Sequence, residues 1–199
     1  HETLALSTPG QIGQVILLGA AFGLTGLVFS GLLQKTKAWM AKVLPNPYRR
    51  IGLVSVALAA ILFLGLGGRY CGLGTNLIQA AFAGDKVYSF DWILKLLLTV
   101  LTLSIGFQGG EVTPLFSIGA TLGVLLGSIL GLPVELCAAL GYAAVFGSAT
   151  NTLLAPIFIG IEVFGAANAV PFTIVCVIAY ALNRNRSIYT AQILHRNHS

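Results

Sequence analysis

Long apolar stretches, broken by short polar or Gly/Pro-rich runs, set the pattern of this chain. Residues 3–34 carry no charge, and this run predicts one membrane helix from about Gln11 to Leu33, with Pro9 near its start. Further spans are expected over Ile51–Gly67, Trp92–Phe107 and Val112–Leu132. Residues 136–148 read as an apolar helix below the roughly 20 residues needed to cross a bilayer. Leu153–Phe164, with Pro156 near its start, and Pro171–Leu182 complete the helical pattern, and Ile188-Tyr189 opens a short terminal helix. The polar run SATNT at 148–152 interrupts hydrophobic sequence. Irregular backbone is not tolerated against lipid, so this break must be buried in protein or line a cavity. Thr150 and Asn151 are candidate caps for the helix after it.

Glycines recur at helical spacing. Gly19, Gly23 and Gly26 in the first span, and Gly119, Gly123, Gly127 and Gly131 in the fourth, predict smooth faces for close helix contact. No Lys-Ser/Thr follows the second set, which separates it from a phosphate loop.

Composition fixes the class. The 199 residues are 56% hydrophobic and 9% charged, with mean hydropathy +0.89, against about 25% charged residues in a soluble domain. This is an all-α integral membrane protein. The net charge of +5 is too small and too clustered to suggest a nucleic-acid partner. Lys35, Lys37, Lys42, Arg49 and Arg50 form a basic 35–50 loop without an acid, and Arg184 and Arg186 follow the last long helix. Both regions are expected in the cytoplasm. Asp85, Lys86 and Asp91 mark a solvated outer segment, and Lys95 is expected to snorkel to the headgroups. Glu135, in the break after Pro133, is expected to be solvated. Cys71, Cys137 and Cys176 are scattered, which argues against a disulfide framework or a zinc site. His195 and His198 fall in a terminal tail, and no Ser/His/Asp or metal-ligand set is present. An enzyme, a cofactor and a metal are therefore not expected.

The candidate chemistry lies in GGEVTPLFSIGATLG, residues 109–123. Gly109-Gly110 lets backbone approach a ligand closely, and Pro114 is tolerated in a first helical turn. A helix starting near 111–113 inside the membrane presents unpaired N–H groups and a positive dipole end, which is an anion site made of backbone. Gly110, Val112 and Thr113 are its candidate residues, and Glu111 is a lone carboxylate within it. Two readings of Glu111 stand. Ionised, it caps its own helix start. Protonated, it offers an O–H to an anion, so that proton uptake and anion binding favour one another. Glu162 is a second carboxylate at possible membrane depth, read as a helix-end residue.

The Gly-Gly, Pro and Ile-Gly-Ala elements of that stretch resemble the anion-coordinating helix start in the second half of CLC chloride channels and transporters. The Glu111-Val112-Thr113 variant resembles the fluoride/proton antiporter branch. Tyr189 in RSIYTAQIL sits where that family places an anion-binding tyrosine, and TNTLLAPIFIGIEVFG at 150–165 resembles a further family segment. The resemblance implies the second inverted repeat of a CLC-type fold, with broken and tilted helices, occupying residues 1–199. The first repeat, with the family's gating glutamate, would lie outside it. A chain that begins at His1 and lacks a signal peptide is accordingly expected to be a truncation.

The resemblance also implies the site set Gly110, Glu111, Val112, Thr113 and Tyr189, with Glu111 the proton-coupling candidate. It implies halide transport in a bacterial inner membrane, most like fluoride/proton antiport, with fluoride or chloride and protons as the transported species. A homodimer is implied, with helices 153–164 and 171–182 in its surface and Ile157, Ile161, Ile174 and Ile178 facing a partner or lipid. Chloride conduction or exchange is the alternative within the family, and a non-transporting, partner-dependent membrane scaffold is the alternative outside it.

Overall fold

The computed structural model describes residues 9–107, 109–183 and 186–189. Eight α-helices run through them in the order α1 (Pro9–Val43), α2 (Pro47–Ala60), α3 (Thr75–Ala83), α4 (Asp91–Ser104), α5 (Val112–Leu130), α6 (Val134–Thr150), α7 (Leu154–Phe164) and α8 (Ala169–Asn183). One π-helical turn, Ile61–Gly65, extends α2, and a short 3-10 turn, Ala166–Asn168, precedes α8. No strand occurs among the described residues. Four segments are long and apolar enough to cross a membrane: α1, α2 with its π turn, α5, and α8 with its 3-10 turn.

The hydrophobic pattern predicted most elements well and their ends less well, and the span expected over Trp92–Phe107 is instead the 14-residue α4, which is not among the four crossing segments. The first helix continues ten residues beyond Leu33, to Val43, so Lys35, Lys37 and Lys42 sit on helix rather than in a loop. Lysine is a good helix former, and a charge that ends an apolar run need not end a helix. The connection shrinks to residues 44–46. There Asn46 accepts from the Tyr48 and Arg49 N–H groups, and Pro47 occupies the first turn of α2.

The centre of the fold is α6. Every residue from Leu136 to Thr150 except Tyr142 is buried, so the helix is apolar all round and enclosed by protein. Small residues let its neighbours come close. A Cβ placed on Gly119 would lie 2.1 Å from the Gly141 carbonyl oxygen, and one on Gly123 would lie 2.1 Å from that of Cys137. These glycines bring the α5 and α6 backbones into direct contact. On the other side of α6, Gly26 of α1 faces Ser148, whose hydroxyl donates to the Gly23 carbonyl at 2.8 Å. Gly19 and Gly23 pack on Ile178, Val175 and Ala179 of α8. The expected glycine faces are thus real, with one exception. Gly131 packs on nothing within 4 Å and instead ends α5 in the left-handed conformation at φ 65°.

The run SATNT stays helical through Thr150, and the break after α6 is buried at Asn151 and half-buried at Thr152 and Leu153. Thr150 and Asn151 do not cap α7: Asn151 terminates α6 at φ 55°, Thr150 Oγ1 bonds the Phe146 carbonyl and the Thr152 hydroxyl, and Leu153 precedes α7 without a side-chain cap. Glu135 is exposed at the start of α6. Of Ile157, Ile161, Ile174 and Ile178, all expected to face outward, the assignment needs correction for Ile157, Ile174 and Ile178. All four are half-buried. Ile157 and Ile174 pack on the main core, and Ile178 lies against Gly19. Leu154, Phe158, Val163, Val170 and Val177 hold the exposed faces of α7 and α8.

Candidate anion site

The structure places Glu111 at the cap position of α5, at φ −73° and ψ −21°, and its side chain makes no bond to the helix's own N–H groups. The self-capping reading of Glu111 is therefore not the arrangement found. The amides of the first turn lack intrahelical acceptors by construction. Those of Val112 and Thr113 are available, whereas Pro114 has none to give. Glu111, Val112 and Thr113 are each half-buried, and Gly109 and Gly110 are exposed. A Cβ on Gly109 would meet nothing within 4 Å, and one on Gly110 only Leu73 at 3.7 Å. Space beside this backbone, rather than packing, is what the two glycines provide.

Tyr189 reaches the same region from the other end of the chain. It follows α8 in a non-helical run, and its ring is exposed. Partial burial, and after it the negative charge of Glu111, pushes the phenol up from its ordinary value. Glu111 thus acts electrostatically on Tyr189 although the four helices α5–α8 separate them in sequence. Ile188 and Tyr189 are not helical, and the rest of the helix expected to start there falls, with the two tail histidines, in residues 190–199, outside the described residues.

A cavity of about 290 Å³ adjoins the Gly109-Gly110 turn. Its walls include Lys95, Thr99 and Thr102 of α4, Leu62 of the π turn, Leu73 and Pro114. Glu111, Thr113 and Tyr189 are not among its lining residues, so this cavity and the Glu111–Tyr189 pair are neighbouring features, not one pocket. At its outer edge Lys95 is 2% exposed and its ammonium donates to the carbonyls of Tyr70 (3.1 Å) and Gly72 (2.7 Å). The expectation that Lys95 snorkels to the headgroups is overturned. The carbonyls of the glycine-rich turn satisfy its charge inside the protein.

Asp91 is likewise not solvated. It is fully buried and accepts from Arg69 (Nη2 at 2.6 Å), the Tyr70 hydroxyl (2.5 Å) and the Tyr88 N–H (2.9 Å). The Asp91 hydrogen bond, working against burial, raises the Arg69 guanidinium above its usual range, and burial followed by the same carboxylate pushes the Tyr70 phenol up. Reasoning from sequence missed this latch. The one available signal was the pair Asp91 and Lys95, four apart at a helix start, where their side chains share a face. Among the described residues no group of three His, Cys, Asp or Glu side chains could hold a metal ion.

Chemically, the helix start offers backbone N–H groups, the Thr113 hydroxyl and a nearby phenol O–H, all hydrogen donors without full positive charge. Such a set binds a halide without trapping it. Glu111 adds one group able to exchange a proton at the same place.

The profile of the voltage gated chloride channel family matches residues 3–184. The chain is similar to a chloride/fluoride channel protein of Pseudomonas syringae pv. tomato, at 38% identity over the whole chain and 46% of that protein. It is also similar, at 29% identity over 56% of the chain and 24% of the relative, to an H(+)/Cl(-) exchange transporter, ClcA, of Yersinia pestis. A crystal structure of a CLC-type fluoride/proton antiporter superposes with a TM-score of 0.91 at 53% identity, covering 94% of this chain and 48% of that one. The chain spans about half the length of these two better-covered matches. The all-helical membrane fold, the glycine-packed helix faces and the match over residues 3–184 together establish that the chain belongs to the voltage gated chloride channel (CLC) family.

Proposed function

We propose that this chain carries one half of the pore of a fluoride/proton antiporter, transporting rather than catalysing. The anion is held by the backbone of Gly110, Val112 and Thr113, the Thr113 hydroxyl and the Tyr189 phenol, with Glu111 exchanging the coupled proton. One observation carries the reading: Glu111 leaves its own helix start uncapped, so that the Val112 and Thr113 N–H groups stay open to a ligand. A carboxylate beside an anion site costs several kcal/mol if it stays ionised in a water-poor setting, and protonation turns that repulsion into a hydrogen bond. The 53% identity to a fluoride/proton antiporter supports fluoride over chloride as the substrate.

The test is halide and proton flux from liposomes holding the protein, alone and joined to a CLC first half. Tyr189→Phe should weaken fluoride binding by about 0.5–1.5 kcal/mol, the value of one hydrogen bond. Glu111→Gln keeps a donor but cannot titrate, so it should flatten the pH dependence of transport more than it weakens binding. An unchanged pH profile in Glu111→Gln removes the coupling role. Flux of chloride with no response to fluoride moves the protein to the chloride branch, and absence of flux in every form makes it a scaffold.

The same reading places the protein in a bacterial inner membrane with residues 35–50 and 184–199 cytoplasmic, on the strength of their basic residues. A cysteine at Lys42 should then be labelled only from inside. It also implies a homodimer joined through the exposed faces of α7 and α8.

A further inference from the structure

We propose that Ser187, steadied by Gln34, is a positioning residue that aims the Tyr189 phenol at the start of α5. The inference rests on the reading of Tyr189 as an anion ligand.

The problem it addresses is local. Tyr189 lies beyond the last turn of α8, in backbone without helical hydrogen bonds, and 45% of its surface is exposed. Packing of the ring alone does not fix where the hydroxyl points. Its backbone, however, is tied down. The Ser187 hydroxyl donates to the Thr150 carbonyl at 3.1 Å and accepts from the Tyr189 N–H at 3.1 Å. A serine oxygen has one donor and two lone pairs, so a single atom bridges the end of α6 to the tyrosine backbone. Between them the Ile188 N–H donates to the Ala149 carbonyl at 3.0 Å. From α1, the Gln34 amide donates to the Ser187 carbonyl at 2.8 Å. Ser187 is 3% and Ile188 4% exposed, so the anchor is dry while the ring it carries is open.

The acceptors are not incidental. Ala149 and Thr150 lie in the last turn of α6, where helix carbonyls have no intrahelical partner. Asn151 turns the chain away in the left-handed conformation and leaves those carbonyls to the 187–188 segment. α6 is in turn pressed against α5 at Gly119 and Gly141. Ser187 therefore ties Tyr189 to the helix whose partner carries Glu111. A hydroxyl lost here frees the tyrosine backbone without touching the anion.

The experiment is a double-mutant cycle on fluoride affinity in the reconstituted protein joined to a CLC first half. Ser187→Ala should weaken fluoride binding by about threefold to tenfold, the range one buried hydrogen bond spans. Gln34 is exposed, so Gln34→Ala leaves folding intact and should weaken binding in the same direction, by about twofold to fivefold. In a Tyr189→Phe background neither change should cost anything further, because the group being aimed is gone. A purely structural serine would instead lower the melting temperature and weaken binding by the same factor with or without the tyrosine hydroxyl. Losses that multiply in this way overturn the inference, and so do Ser187→Ala and Gln34→Ala proteins of unchanged affinity when Tyr189→Phe is weakened. Unchanged affinity in Tyr189→Phe itself removes the anion-ligand reading, and the inference with it.

Discussion

Gly119→Ala tests whether the α5–α6 contact holds the site together. The added Cβ would lie 2.1 Å from the Gly141 carbonyl oxygen, 2.5 Å from its carbon and 3.0 Å from the Tyr142 nitrogen, where ordinary contact begins at 3.4 Å. The neighbouring atoms are backbone, so no rotamer change relieves the clash and the helices must part by roughly 1.3 Å. α6 has nowhere to go, because Ser148 on its far side already presses on Gly26. Overpacking of this kind costs about 1–3 kcal/mol, while alanine returns at most about 1 kcal/mol in helix propensity. Gly13→Ala in α1 supplies the control: nothing lies within 4 Å of its added Cβ, so only the propensity gain remains. Thermal unfolding of the purified variants, followed by monodispersity on size exclusion, should place Gly119→Ala about 1–3 kcal/mol below Gly13→Ala, since the propensity gain is common to both. Because Glu111 precedes α5 and Tyr189 hangs from α6, parting the helices should also lower fluoride affinity. Equal stability of the two variants would refute the argument that backbone contact fixes the pair.

Two further outcomes follow from other parts of the fold. Asp91→Ala strips Arg69, the Tyr70 hydroxyl and the Tyr88 N–H of their shared acceptor; breaking a buried pair costs about 3–5 kcal/mol, and the partial exposure of Arg69 (30%) puts the loss at the lower end. Unfolding should register it, and a change under about 1 kcal/mol would show that water replaces the carboxylate. Phe158→Lys, on the outward face of α7 where the native ring is 63% exposed, should shift a dimer to monomer by cross-linking in liposomes, and a persistent dimer would move the interface elsewhere.

Helices and their packing faces were legible because each depends on local chemistry. Hydrophobic length marks a span, and glycine at four-residue spacing marks a face that can approach backbone. The ends were less legible. α1 runs through Lys35, Lys37 and Lys42 because helix propensity does not stop where hydropathy does. Asp91 and Lys95 were read as wet because a charge near a helix end usually is. Their partners, Arg69, the Tyr70 hydroxyl and the carbonyls of Tyr70 and Gly72, lie about twenty residues upstream in a turn that no periodicity announces. The isoleucines of α7 and α8 show the same limit. Apolar residues suit lipid and core alike, so which face of α8 meets α1 is decided by Gly19 and Gly23, far away in sequence.

The uncapped start of α5 is where stability and function diverge. An N-cap side chain that bonds the first-turn amides typically contributes about 1 kcal/mol, and α2 takes that contribution from Asn46. α5 has a carboxylate at the same position and does not use it so. A capped Glu111 would have occupied the very N–H groups on which the proposed anion site depends. Left free, it keeps those donors open. The helix must then be held by something other than its cap, and the contacts of Gly119 with Gly141 and of Gly123 with Cys137 are what hold it. Close packing along the length of α5 is thus the condition under which its first turn can be left unsatisfied for a ligand.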